Sequence, residues 1–165
     1  MLFRSWTGDA ASYFNQLGHY LKMETATLAQ TSGLSGTDQA RATAEATVGS
    51  TGWTAPAIKD VARLNRALVT GTSLLSQGMD AAMRRPGATR FAPLEFQTRW
   101  TQTLGEDGIN AIRLYDAVLH KDTEAIQKVA TEVAGPGYRG DVTQSEGYLA
   151  LRKKLEQLNR MIEGK

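Results

Sequence analysis

Four arginines crowd one short stretch: Arg84, Arg85, Arg90 and Arg99, with Phe91, Phe96 and Trp100 among them. Cations interleaved with aromatic rings can hold a nucleic acid strand, phosphates on the guanidinium groups and bases on the ring faces. The plainer reading sends the rings into the core and the arginines into water. Nucleic-acid binding through this cluster is therefore an alternative, tested by the salt dependence of any binding. A second chemistry needs two carboxylates across a cleft, as in a hydrolase acting on a polymer such as peptidoglycan. Glu24, Glu95, Glu106 and Asp107 are the candidates, at expected helix ends or loops. Nothing selects a pair, and acidic residues at helix starts commonly serve the helix dipole.

The remaining chemistry is quickly bounded. His19 and His120 are the only histidines, and neither has a second ligand at helical metal spacing. There are no cysteines, so disulfides, thiolate catalysis and Cys-ligated zinc are excluded. No nucleophile elbow occurs. The glycine-rich stretches match neither GxxxxGK[ST] nor a strand followed by GxGxxG. Arg139-Gly140-Asp141 spells the integrin tripeptide on an expected loop, but three letters carry little information. No catalytic residue, metal or cofactor is assigned.

The elements that would position these groups read as helices. Ile58, Val61, Ala62, Asn65, Leu68, Val69, Thr72, Leu75, Ser76, Met79, Ala82 and Met83 follow the spacing of a core-facing stripe. Leu64, Ala67, Gly71, Leu74, Gly78 and Ala81 form a second, small-residue face, and Lys59, Arg63, Arg66, Thr70 and Asp80 fall on a polar ridge. Thr54 suits the N-cap and Pro56 the first turn, while Arg84, Arg85 and then Pro86-Gly87 suit the end. The spacing thus predicts one long central helix over about 54–84. Gly71 and Gly78 each cost about 1 kcal/mol of helix propensity, and close approach by another backbone is the expected compensation. The charges on this helix leave no apolar run of the roughly 20 residues a membrane span needs.

The remaining helices are read around this spine. One is expected from Asp9 to about Gln30, with Ala10, Phe14, Leu17, Leu21 and Leu28 facing inward. Residues 31–53 are the least core-like part, rich in Ser, Thr, Gly and Ala, and are expected to be flexible. Phe96, Trp100 and Leu104 mark a helix over 94–104, which Gly105 ends. Asp107 is the expected cap of the next, with Ile109, Ile112, Leu114, Tyr115, Val118 and Leu119 as its apolar set. Asp122 caps another, and the two form an αα-hairpin at about 107–134. Thr143-Gln144-Ser145-Glu146 fits a capping box for a last helix carrying Tyr148, Leu151, Leu155, Leu158 and Ile162.

At 165 residues the chain can bury a core of its own. Its net charge of +2 is too slight to argue for nucleic acid. No signal peptide, lipidation motif or membrane span is read, which implies cytoplasmic synthesis, with incorporation into a particle or specialised secretion as later fates. Residues 1–8 read as an arm. Leu2, Phe3 and Trp6 there, with Leu34 and Trp53, are the large apolar groups expected to meet the body or a partner.

One local resemblance touches this arm. Trp6-Thr7-Gly8 before an Ala-rich helix resembles the turn of the WXG-type secreted helical hairpins, and Tyr20 and Glu24 match the YxxxE spacing of their export signal. That family places a whole helix before the tryptophan, whereas five residues precede it here, and nothing after residue 30 is covered. Membership is not assigned, and a secretion route is all the resemblance implies.

The expectation is an all-α fold of five to seven helices packed around the central one, with 9–165 as a single domain. The expected function is a non-catalytic protein–protein interaction or structural subunit of a larger assembly, a phage virion or bacterial secretion component being examples. Its partners would be other protein subunits, further copies of itself among them.

Overall fold

The structure is a computed structural model that describes residues 54–164 together with 17–20, 23–25, 27–28 and 42. From 54 onward the chain forms five α-helices: α1 Ala55–Met83, α2 Ala92–Leu104, α3 Gly108–Leu119, α4 Thr123–Ala134 and α5 Glu146–Glu163. Short 3-10 turns at Gly105–Asp107 and Val142–Gln144 lead into α3 and α5. The fold is all-α, and no strand occurs among the described residues. The arm at 1–8 and the 31–53 segment, apart from Ala42, lie outside the described residues. Those residues of 17–28 that are described are helical, as the stripe there predicts.

The central helix runs unbroken through both internal glycines. Thr54 accepts a hydrogen bond from the Ala57 N–H at 3.3 Å, and Pro56 sits in the first turn, where its missing N–H removes no helical bond. α1 packs against α2, α3 and α5, and α5 touches all four other helices. Val61, Leu68, Trp100, Ile112, Val129 and Leu158, drawn from all five helices, lie in one buried cluster.

The small-residue face works differently from expectation. It is side chains, not a neighbouring backbone, that fill the space beside the two glycines. A β-carbon on Gly78 would lie 2.0 Å from Cζ of Phe96 in α2, and one on Gly71 would lie 3.1 Å from Cγ2 of Ile112 in α3. Backbone approach occurs instead at Gly147 in α5, where a β-carbon would sit 2.3 Å from the Val133 carbonyl oxygen.

Three local expectations are corrected. Asp107 makes no side-chain cap; it lies in the 3-10 turn, 3.7 Å from Nζ of Lys154. The N-cap of α5 is Ser145, whose Oγ accepts from the Tyr148 N–H, while Thr143 is held by Asp141 in the preceding turn. Val118 and Leu119 are exposed, and Asp116 and Ala117 take the buried positions. The cause lies on α1, whose Arg66 and Thr70 bind Asp116 and turn that side of α3 inward.

Candidate functional site

Two places concentrate charge, and they differ in kind. The first is a seam where the polar ridge of α1 meets the α3–α4 hairpin. Arg63 donates to both Asp122 oxygens, at 3.0 and 2.9 Å, and to Glu124 at 2.8 Å. Lys59 adds a second bond to Glu124, and Lys128 pairs with Asp60. Asp116, only 2% exposed, accepts from Arg66 Nε at 2.8 Å and Thr70 Oγ1 at 2.7 Å. His120 Nδ1 lies 2.9 Å from the Asp116 carbonyl oxygen and 3.2 Å from its carboxylate. The N-terminal half of the ridge is thus an inter-helix contact rather than a solvated face.

Three of these groups, Arg63, Asp122 and Glu124, are shifted toward their ionised forms. Hydrogen bonds from Arg63 and then Lys59 hold the Glu124 carboxyl down at about 2. Partial burial works against ionisation of Asp122, but the Ala125 N–H, Arg63 and Arg66 outweigh it and hold that carboxyl below its ordinary value. The bond to Glu124 raises Arg63 further still. All are pushed toward permanent charge, the direction that suits an ionic clamp and not a proton-transfer group. A cavity of about 20 Å³ between Arg63, Arg66, Arg113, Asp60 and Asp116 has room for about one water.

The second place is the far end of α1. The helix stops where the Arg84 N–H bonds back to Asp80 and Ala81, and Gly87 turns the chain with φ +78. The loop closes through Ala88 N–H to Arg85 O and Ala92 N–H to Thr89 O, each 3.0 Å. Pro93 then falls in the first turn of α2. Arg84, Arg85, Arg90 and Arg99 are all exposed here, and among the described residues no carboxylate pairs with any of them. Arg85 donates instead to the Met161 carbonyl at 3.2 Å, at the C-terminal end of α5. Arg85 and Arg99 share a pocket of about 230 Å³ with Thr89, Glu95 and Phe96.

The aromatic residues of this stretch divide. Phe96 and Trp100 are core residues, stacked with centroids 6.3 Å apart. Phe91 alone faces out, 52% exposed, with the Arg90 guanidinium 4.7 Å from its ring centre. Leu94 and Met83, 61% and 51% exposed, lie at the same end of the helix pair. The arginine cluster therefore carries an apolar fringe rather than a row of stacking platforms.

Of the candidate carboxylates, Glu106 and Asp107 are neighbours in the 3-10 turn, while Glu95 stands apart from them. Glu95 and Glu106 are separated by most of α2, about 16 Å along the axis at 1.5 Å per residue, too far for a paired acid and base. Among the described residues no cluster of His, Asp and Glu could hold a metal ion, and no helix is long and apolar enough to cross a membrane. The apolar residues expected to meet a partner, Leu2, Phe3, Trp6, Leu34 and Trp53, lie outside the described residues. Met83, Phe91 and Leu94 were no part of that expectation. The signal that could have found Phe91 and Leu94 is their position before and beside Pro93, off the Phe96–Trp100–Leu104 stripe.

No protein-family model, curated protein or solved structure matches the chain.

Proposed function

We propose that the protein is a non-catalytic helical subunit that contacts other proteins within a larger assembly, and that the arginine end of the bundle is its contact surface. One observation carries this reading: Met83, Phe91 and Leu94 are exposed beside four arginines that have no carboxylate partner among the described residues. Large apolar groups rimmed by cations mark a surface that gains by being covered. A phage virion or a bacterial secretion apparatus is the kind of setting that suits a compact, cysteine-free chain rich in Ala, Thr and Gly.

The test is mass in solution by light scattering, for the chain alone and mixed with purified products of its neighbouring genes. A defined complex heavier than the 17.9 kDa monomer is expected. Phe91→Ser with Leu94→Ser should dissolve that complex while leaving the thermal midpoint within a few degrees, since both side chains are exposed. A chain that stays monomeric in every mixture, or a complex indifferent to the two substitutions, would overturn the reading.

A further inference from the structure

The same surface specifies the chemistry of what covers it, an inference that rests on the contact reading above. We propose that Arg85 and Arg99 receive a carboxylate side chain from an acidic segment of a partner protein, and that Phe91 and Leu94 take the apolar side chains flanking it.

Charge gives the first argument. Residues 84–99 hold four arginines against one glutamate, whereas the whole chain carries a net +2. The cationic character of the protein is therefore concentrated at this end. A guanidinium fork matches a carboxylate through two parallel hydrogen bonds, which favours Arg over Lys for this task.

Geometry gives the second. A pocket of about 230 Å³ lies below the range typical of sites for drug-sized ligands, yet it accommodates a carboxylate and its stem. Arg85 is already held by the Met161 carbonyl, so binding need not immobilise a free side chain. Glu95 on the wall opposes any anion, and the two guanidinium groups of Arg85 and Arg99 outnumber it.

The third argument separates a peptide from a nucleic acid strand. A strand is held by successive bases on successive rings. Here Phe91 is the only outward ring of the cluster, and Arg90 stands near it. Phe96 and Trp100 are withdrawn into the core, and the other exposed apolar groups are aliphatic.

A random twelve-residue peptide library displayed on phage, selected against the full-length protein, tests the proposal. Selected peptides should be enriched in Asp or Glu next to Leu, Phe or Met. Arg99→Glu, which leaves the Arg85–Met161 contact in place, should weaken synthetic copies of them about tenfold or more by fluorescence anisotropy. Phe91→Ser with Leu94→Ser should weaken them as well. Peptides that need Phe91 and Leu94 but show no acidic enrichment and ignore Arg99→Glu would overturn the acidic partner and leave the contact surface standing. A failure to select binders, or binders indifferent to all these substitutions, would overturn both. A single-stranded fifteen-nucleotide dT oligomer that displaces the peptides at lower concentration would overturn the proposal in favour of nucleic acid.

Discussion

Two glycines one heptad apart on the same helix illustrate how little a residue type says without its neighbour. Gly78 faces the ring of Phe96, a buried side chain that cannot swing away, and an added methyl would stand 2.0 Å from it. Gly71 faces a branch of Ile112 at 3.1 Å, where a shift of only a few tenths of an ångström would be needed. Replacing either by Ala gains about 1 kcal/mol of helix propensity. At Gly78 overpacking of about 1–3 kcal/mol opposes that gain. Gly78→Ala is therefore expected to lower stability, by up to about 2 kcal/mol, and Gly71→Ala to leave it unchanged or slightly raised, read from urea denaturation of the two variants side by side. Adding Phe96→Leu to Gly78→Ala should cost less than the sum of the two single changes. Equal and opposite shifts in the two glycine variants, with Gly78→Ala the stabiliser, would contradict the packing described.

At the scale of elements, the α3–α4 hairpin is held to α1 by ion pairs as well as by apolar packing, and this gives the protein an acid response. Glu124 is ionised down to about pH 2 in the folded protein against an ordinary value of 4.5. A carboxyl depressed by folding contributes stability that is complete above its unfolded value and lost as pH falls toward its folded one. Stability should hold steady at neutral pH and decline between about pH 4.5 and 2. Glu124→Gln should make that decline shallower, the two proteins converging at the acid end. The side chain is 65% exposed, so the effect is a modest one, and 1 M salt should shrink it. The measurement is the urea midpoint against pH, and parallel curves for the two proteins would count against the clamp.

The same elements show what a sequence can and cannot announce. The 29-residue α1 was legible because its period is sustained and both ends carry boundary chemistry, Thr54 with Pro56 and Pro86 with Gly87. Its core face, however, is rotated toward Leu64, Ala67, Gly71, Leu74 and Gly78, leaving Ala62, Val69, Ser76 and Met83 of the expected stripe exposed. Phe96, Trp100 and Leu104 were legible as core by their i, i+4 spacing. The cap of α5 was misplaced by two residues because Thr143 and Ser145 are equally good hydroxyl caps in isolation. Asp141 decides between them by holding Thr143 in the preceding turn. The outward turn of Val118 and Leu119 was illegible for a similar reason: it follows from Asp116 meeting Arg66, 50 positions away. The arginine end was half legible. The clustering of cations shows in the sequence, but whether an interleaved ring faces them or the core is settled only when α2 packs.

For the molecule as a whole, the question is whether residues 54–164 unfold together. α5 follows the other four helices of 54–164 and touches each of them, and Leu158 within it is fully buried in the common cluster. A helix that only decorated a finished bundle could be loosened without loss elsewhere. One that completes the core cannot, because Trp100, Ile112 and Val129, on three different helices, share that cluster with it. Leu158→Ala removes buried methyl groups and leaves a cavity, which costs about 2–5 kcal/mol. If the unit is cooperative, this cost lowers the urea midpoint of the entire transition and leaves its slope unchanged, since the same surface is still exposed on unfolding. Amide exchange should then accelerate by a common factor at the slowest sites of α1, α2 and α3, although the substitution lies in α5. Leu68→Ala, at the equally buried centre of α1, should give the same pattern. A two-step transition in the Leu158 variant, with α1 and α2 retaining their protection, would mean that α5 is an appendage and that the core closes without it.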